Sequence, residues 1–94
     1  MDLAKSVYLG NLPFDANEDM IHSALGDISA EKVIVARNSK GLFMGYAFAE
    51  LTSVTEIEAA VSKLHRSSLG KKMPRKIHVE PGLAYSDLLE RIGL

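Results

Sequence analysis

Three aromatic residues are spaced so that they can share one surface. In Met44-Gly45-Tyr46-Ala47-Phe48-Ala49-Glu50-Leu51 the rings alternate with small residues. An extended strand turns successive side chains to opposite faces, so Ala47, Ala49 and Leu51 go to one side and Met44, Tyr46, Phe48 and Glu50 to the other. By the same rule Val7 and Leu9 point into a core and Tyr8 points out. Placing Ala inside and Tyr and Phe outside inverts the usual burial preference, and a contiguous exposed apolar patch of this kind marks an interaction site.

Charge supplies a second grouping. The 94 residues hold 11 Lys plus Arg and 12 Asp plus Glu, a formal charge of −1. Yet Lys63, Arg66, Lys71, Lys72, Arg75 and Lys76 fall in a stretch with no acid between Glu58 and Glu80. With Arg37 and Lys40 these predict a basic rim able to meet anions. Glu50 and Glu80 fall on the ring-bearing face by alternation; they oppose that tendency but can accept hydrogen bonds from amino groups. His78 shares the face; His22 and His65 are expected on helix surfaces. No His pair has ligand spacing with a third donor, so no metal is assigned. There is no Cys. That removes disulfides and thiolate catalysis and fits an intracellular setting, nucleus or cytoplasm. Nothing pairs a nucleophile with a base, gathers carboxylates or cradles a phosphate with glycines, so no enzyme and no cofactor are expected. Neither a signal pattern nor about 18 consecutive apolar residues occurs, so no membrane contact is expected.

The elements that would position these residues are legible in order. Val7-Tyr8-Leu9 is a strand closed by Gly10-Asn11-Leu12-Pro13. Asp15 and Glu18 make a capping-box-like start for a helix carrying Ile21, Ala24, Leu25 and Ile28 at i, i+3, i+4 and i+7. Residues 32–37 and 44–51 read as a hairpin around Asn38-Ser39-Lys40-Gly41. Ser53 and Glu56 form a cleaner capping box before Ile57, Ala60, Val61 and Leu64, again at helical spacing. Lys76-Ile77-His78-Val79-Glu80 alternates as a fourth strand and stops at Pro81-Gly82. Strand, helix, strand, strand, helix, strand, with one apolar stripe per helix, predicts an α+β fold: a ferredoxin-like βαββαβ plait, a four-stranded antiparallel sheet with both helices on one face. The other face stays open. One domain over residues 1–81 and a tail over 82–94 are expected, as a monomer.

In its two strand motifs the sequence resembles the RNA recognition motif family, over about residues 5 to 80. Val7-Tyr8-Leu9-Gly10-Asn11-Leu12 fits the family's strand-one signature. Met44-Gly45-Tyr46-Ala47-Phe48-Ala49-Glu50-Leu51 aligns with the longer one, with Met44 standing where that signature has a basic residue. The resemblance implies single-stranded RNA as partner, with bases stacked on Tyr8, Tyr46 and Phe48 and further contacts from Asn11, Arg37, Lys40, Lys72, Arg75, Lys76 and His78. Each stack is worth roughly 1 to 3 kcal/mol against an association cost of about 4 to 15, so phosphate contacts must add to them and the expected dissociation constant is on the order of micromolar. RNA processing, stability, transport or translation is the implied setting. Replacing Tyr46 and Phe48 together by Ala is expected to abolish binding with the fold retained.

The tail adds an element the plait does not need. Tyr85, Leu88, Leu89 and Ile92 recur at i, i+3, i+4 and i+7, predicting a short third helix. It can pack on the domain's edge, cover the rings and gate RNA, or dock on a partner protein. The competing function is a protein-interaction module of the same fold, favoured by near neutrality, Met44 and the apolar tail. A small plait enzyme or metabolite sensor is a remote third class, because Gly10-Asn11-Leu12-Pro13 offers no anion loop.

Overall fold

The alternating segments pair as their patterns require. In the computed structural model, which describes residues 1–91, β1 (Ser6–Gly10), β2 (Ala30–Arg37), β3 (Phe43–Leu51) and a late strand, His78–Pro81, form one sheet. Its order is β2, β3, β1 and the late strand, with every pairing antiparallel. Helices α1 (Glu18–Leu25) and α2 (Glu56–Leu64) supply the apolar stripes that cover one face. Val7, Leu9, Ala47, Ala49, Leu51 and Val79 from the sheet meet Ile21, Leu25, Ala60 and Leu64 from the helices in a single core. This is the α+β plait expected from the element order.

Four local details differ from the pattern reading. First, α1 is capped by Asn17, whose side-chain oxygen accepts from the Met20 amide at 2.8 Å; Asp15 lies too early, in the turn closed by the Ala16 amide on the Pro13 carbonyl. Asn serves this role because its short side chain reaches an unpaired first-turn N–H. Asn17→Ala should therefore cost about 1 kcal/mol and lower Tm by roughly 4–8 °C, read by thermal melting. Second, α1 ends at Leu25, so Ile28 packs on the core from the following turn rather than from the helix.

Third, the Ser53 box does not close. Residues 53–55 form a turn, Thr55 precedes the helix without a side-chain cap, and Glu56 instead accepts from the Thr52 hydroxyl at 2.6 Å. Fourth, the segment read as one strand over 76–80 is divided. Ser68–Leu69 (β4) and Arg75–Lys76 (β5) form a separate two-stranded ribbon, and only His78–Pro81 (β6) joins the main sheet. The break falls at Ile77, which is buried and exchanges backbone hydrogen bonds with Arg66 and Ser67.

A 3₁₀ turn (Leu3–Lys5) precedes β1, and a second (Gly82–Tyr85) leads from β6 into α3 (Ser86–Arg91). Both terminal segments lie against the sheet face that α1 and α2 leave free. A Cβ on Gly82 would stand 3.0 Å from the Ser6 carbonyl, so glycine is what lets the tail turn back this close to β1. Ile92 lies outside the described residues.

Candidate functional site

Strands β1 and β3 bring the three rings together as alternation predicts. Tyr8 and Phe48 are cross-strand partners. Ring centroids are 5.7 Å apart for Tyr8 and Phe48, 6.0 Å for Tyr8 and Tyr46, and 6.2 Å for Tyr46 and Phe48. Gly10 makes room for this arrangement, because a Cβ there would stand 2.8 Å from the Tyr8 ring. The rings sit on the face opposite the main core and form a second, smaller apolar cluster with Ala36.

That cluster is not open to solvent, which corrects the expectation of an exposed platform. Phe48 is 0% exposed and Tyr46 9%. Leu88 and Leu89 of α3, Tyr85, and Met1 and Leu3 at the other terminus pack onto it. The Tyr46 hydroxyl donates to the Leu88 carbonyl at 3.2 Å. Tyr85 lies flat on Tyr8, with centroids 3.8 Å apart and planes 11° from parallel. Burial pushes the hydroxyl pKa of both Tyr8 and Tyr46 upward. Of the three fates open to the third helix, the structure shows the one in which it roofs the rings. The physical reason is the one that made the patch conspicuous: exposed apolar rings and an apolar tail stripe on one chain bury each other when the linker is short.

The two acids on this face tie the roof down. Glu50 accepts from the Asp2 backbone amide. Glu80, the cross-strand neighbour of Tyr8, accepts from the Tyr85 hydroxyl and, at 2.8 Å, from His78 Nε2. These hydrogen bonds, Tyr85 first, hold the Glu80 carboxyl below its ordinary range, and the same carboxylate pushes the Tyr85 hydroxyl up to about 12. The signs give a pH window. A lowered carboxyl stabilises the closed tail above its unfolded pKa and loses that contribution as pH falls; a raised phenol stabilises it below its unfolded pKa, near 10, and loses it as pH climbs toward 12. Tail closure, followed by the ring-current-shifted NMR signals of Tyr8 and Tyr85, should thus persist across neutral pH and fail at both extremes.

The other expected contacts divide into those free to meet a ligand and those committed to the fold. Lys40, Lys72 and Lys76 are exposed. Asn11 is engaged, its side-chain amide donating to the Lys76 carbonyl at 2.9 Å. Arg75 and Arg37 make long contacts of 3.5 Å to the carbonyls of Leu12 and Gly41 and are otherwise exposed. Lys63 is not part of the rim: its ammonium caps the end of α1 on the Leu25 carbonyl at 3.0 Å. His78 is exposed and packs edge-on to His65, 4.7 Å between centroids. His65 is not a plain surface residue, since its Nδ1 accepts from the Val79 amide at 3.0 Å and so holds β6 against the end of α2.

Sequence reasoning missed two features. Tyr85 is a fourth stacking ring and not only a point on a helical stripe; its position five residues after Glu80 was the available signal. At the sheet end where the β1–α1 loop meets the β4–β5 ribbon, Pro13, Phe14, Met73 and Arg75 line a shallow pocket of about 210 Å³. Phe14 and Met73 there are 69% and 68% exposed. Neither lies in a periodic segment, so no pattern marks them. Among the described residues no three His, Asp or Glu gather to hold a metal, and no helix is long and apolar enough to cross a membrane.

Comparison with known proteins fits this geometry. The chain is similar to the second RNA recognition motif of RNA-binding protein 19, at 25% identity over 80% of this chain and 78% of that one, with a TM-score of 0.69. It shares its fold with the Glorund qRRM2 domain, at 19% identity over 92% and 96% of the two chains and a TM-score of 0.74. It also shares it with the Sxl-lethal protein of a protein/RNA complex, at 21% identity over 83% of this chain and 47% of that one and a TM-score of 0.73. No curated protein sequence matches the chain. The model of one family, the RNA recognition motif, matches residues 7–74 and so takes in β1, β3 and both core helices: the chain belongs to the RNA recognition motif family.

Proposed function

We propose that the chain binds single-stranded RNA by stacking bases on Tyr8, Tyr46 and Phe48, with phosphates met by Arg37, Lys40, Lys72, Arg75 and Lys76, and that the C-terminal helix competes for the same surface. The observation that carries this reading is the convergence of the three rings from two family motifs within 5.7–6.2 Å on one sheet face. Support also comes from the likeness to the second RNA recognition motif of an RNA-binding protein, RNA-binding protein 19. A base has the same flat apolar face as the Tyr85 ring that now occupies Tyr8, so exchange of one for the other needs no rearrangement of the sheet. The setting that follows is RNA processing, stability or translation, in nucleus or cytoplasm.

The test is titration of a short fluorescent RNA at two salt concentrations. Phosphate contacts predict weaker binding at the higher salt. Tyr8→Ala, made in a chain ending at Pro81 so that loss of the Tyr8–Tyr85 stack does not offset it, removes one stack at a half-buried position outside the main core and should weaken binding by about 5- to 100-fold. A second reading, a protein-interaction module with weak or no RNA binding, is favoured by the burial of Tyr46 and Phe48 beneath the chain's own tail. Failure of RNA to bind even when the tail is detached would decide for it.

A further inference from the structure

The tail does more than cover Tyr8; it shows what a ligand at that position must look like. Tyr85 sits on Tyr8 as a base would, at 3.8 Å and 11° from parallel. Its hydroxyl lies in the ring plane and donates sideways to Glu80. Glu80 is the direct cross-strand partner of Tyr8, so its carboxylate stands at the edge of whatever ring rests on Tyr8. The carboxylate is kept ionised by Tyr85 and His78 and therefore only accepts hydrogen bonds. Both of those donors go to Oε2, and no described residue donates to Oε1.

Resting on the RNA-binding reading above, the geometry points to Glu80 as the residue that selects guanine for the Tyr8 stacking position. Guanine offers two adjacent donors on one edge, N1–H and the N2 amino group, which match the two oxygens of one carboxylate in the way a guanidinium fork does. Adenine and cytosine each present one amino group flanked by a ring nitrogen that accepts, and this nitrogen would face the carboxylate. Uracil presents a single N–H between two carbonyls. The expected order is guanine, then adenine and cytosine, then uracil. Displacement of Tyr85 by guanine replaces one donor to Glu80 with two, so the acid that would repel a phosphate is turned to reading a base edge.

The experiment uses the full chain and short uracil oligomers carrying a single central guanine, adenine, cytosine or uracil. The closed tail lowers the affinity of all four by one common factor, so their ratio reports the stacking position alone. The guanine oligomer should bind at least about fivefold more tightly than the uracil-only one, the lower end of what a bidentate base contact supplies. Glu80→Ala should bring that ratio close to 1 while the oligomers still bind. Glu80→Gln, which keeps shape but adds a donor, should also lose the guanine preference. Equal binding of all four, or a guanine preference that survives Glu80→Ala, overturns the assignment and leaves RNA binding standing. No binding of any oligomer, by the full chain or by Leu88→Asp with its helix detached, overturns both.

Discussion

A chain ending at Pro81 should bind a short single-stranded RNA about 30-fold more tightly than the 94-residue chain. In the full chain the ring face is open only when α3 lifts, and a ligand that needs a minor state has its affinity reduced by the fraction of that state. The closure rests on the Tyr8–Tyr85 stack, worth about 0.5–1.5 kcal/mol, and on the hydrogen bonds of Tyr46 to Leu88 and of Tyr85 to Glu80, together worth about 1 kcal/mol. Burial of Leu88 and Leu89 is partial and is offset by the entropy of ordering a six-residue helix. A net bias of about 2 kcal/mol toward the closed form follows, and each 1.4 kcal/mol is a factor of ten. Leu88→Asp in the full-length chain should give most of the same gain, because it places a charge against Tyr46 and Phe48 without shortening the protein. Retained far-UV circular dichroism would show that the plait survives, since its main core draws no residue from the tail. Equal affinities for the long and short chains would mean that α3 does not compete with RNA at all.

The reason this roof over the rings was only half visible in the sequence is physical. Period-two alternation depends on backbone geometry alone, so it placed Tyr8, Tyr46 and Phe48 on one face and Ala47, Ala49 and Leu51 on the other, as the structure has them. Helical periodicity likewise located α1, α2 and α3. What alternation does not say is whether the face turned away from one core meets water or a second cluster. That depends on where a 3₁₀ turn at Gly82–Tyr85 sends the chain, and the turn is set by the close approach of Gly82 to Ser6, a contact between distant parts of the sequence. The same limit explains the split of residues 76–80: the pattern of Lys76-Ile77-His78-Val79-Glu80 suits one strand, but Ile77 is held by Arg66 and Ser67. The partners of Glu50 and Glu80 within the chain were hidden for a similar reason: alternation sets both acids beside the rings but does not say which donors of the terminal segments reach them.

Phe48→Ala should lower Tm by about 15 °C or more, the largest single-site effect expected on stability. The residue is fully buried, between the sheet and the two terminal segments, and truncating a buried Phe to Ala typically costs about 3–5 kcal/mol. In a domain of this size 1 kcal/mol moves Tm by roughly 4–8 °C. The double change of Tyr46 and Phe48 to Ala is therefore unsuited to testing RNA binding, since loss of affinity would be mixed with loss of fold; Tyr8→Ala is the cleaner probe. The cost of Phe48→Ala should also depend on the tail. In a chain ending at Pro81 the ring already faces solvent on one side, so its removal forfeits less burial, and the Tm change should shrink to about half. That coupling separates two origins of the effect. A full-sized loss in both chains would mean that Phe48 is held mainly by its neighbours within the sheet, whereas a loss confined to the long chain would place its stabilisation in the contact with Tyr85, Leu88 and Leu89, the contact that a bound base must replace.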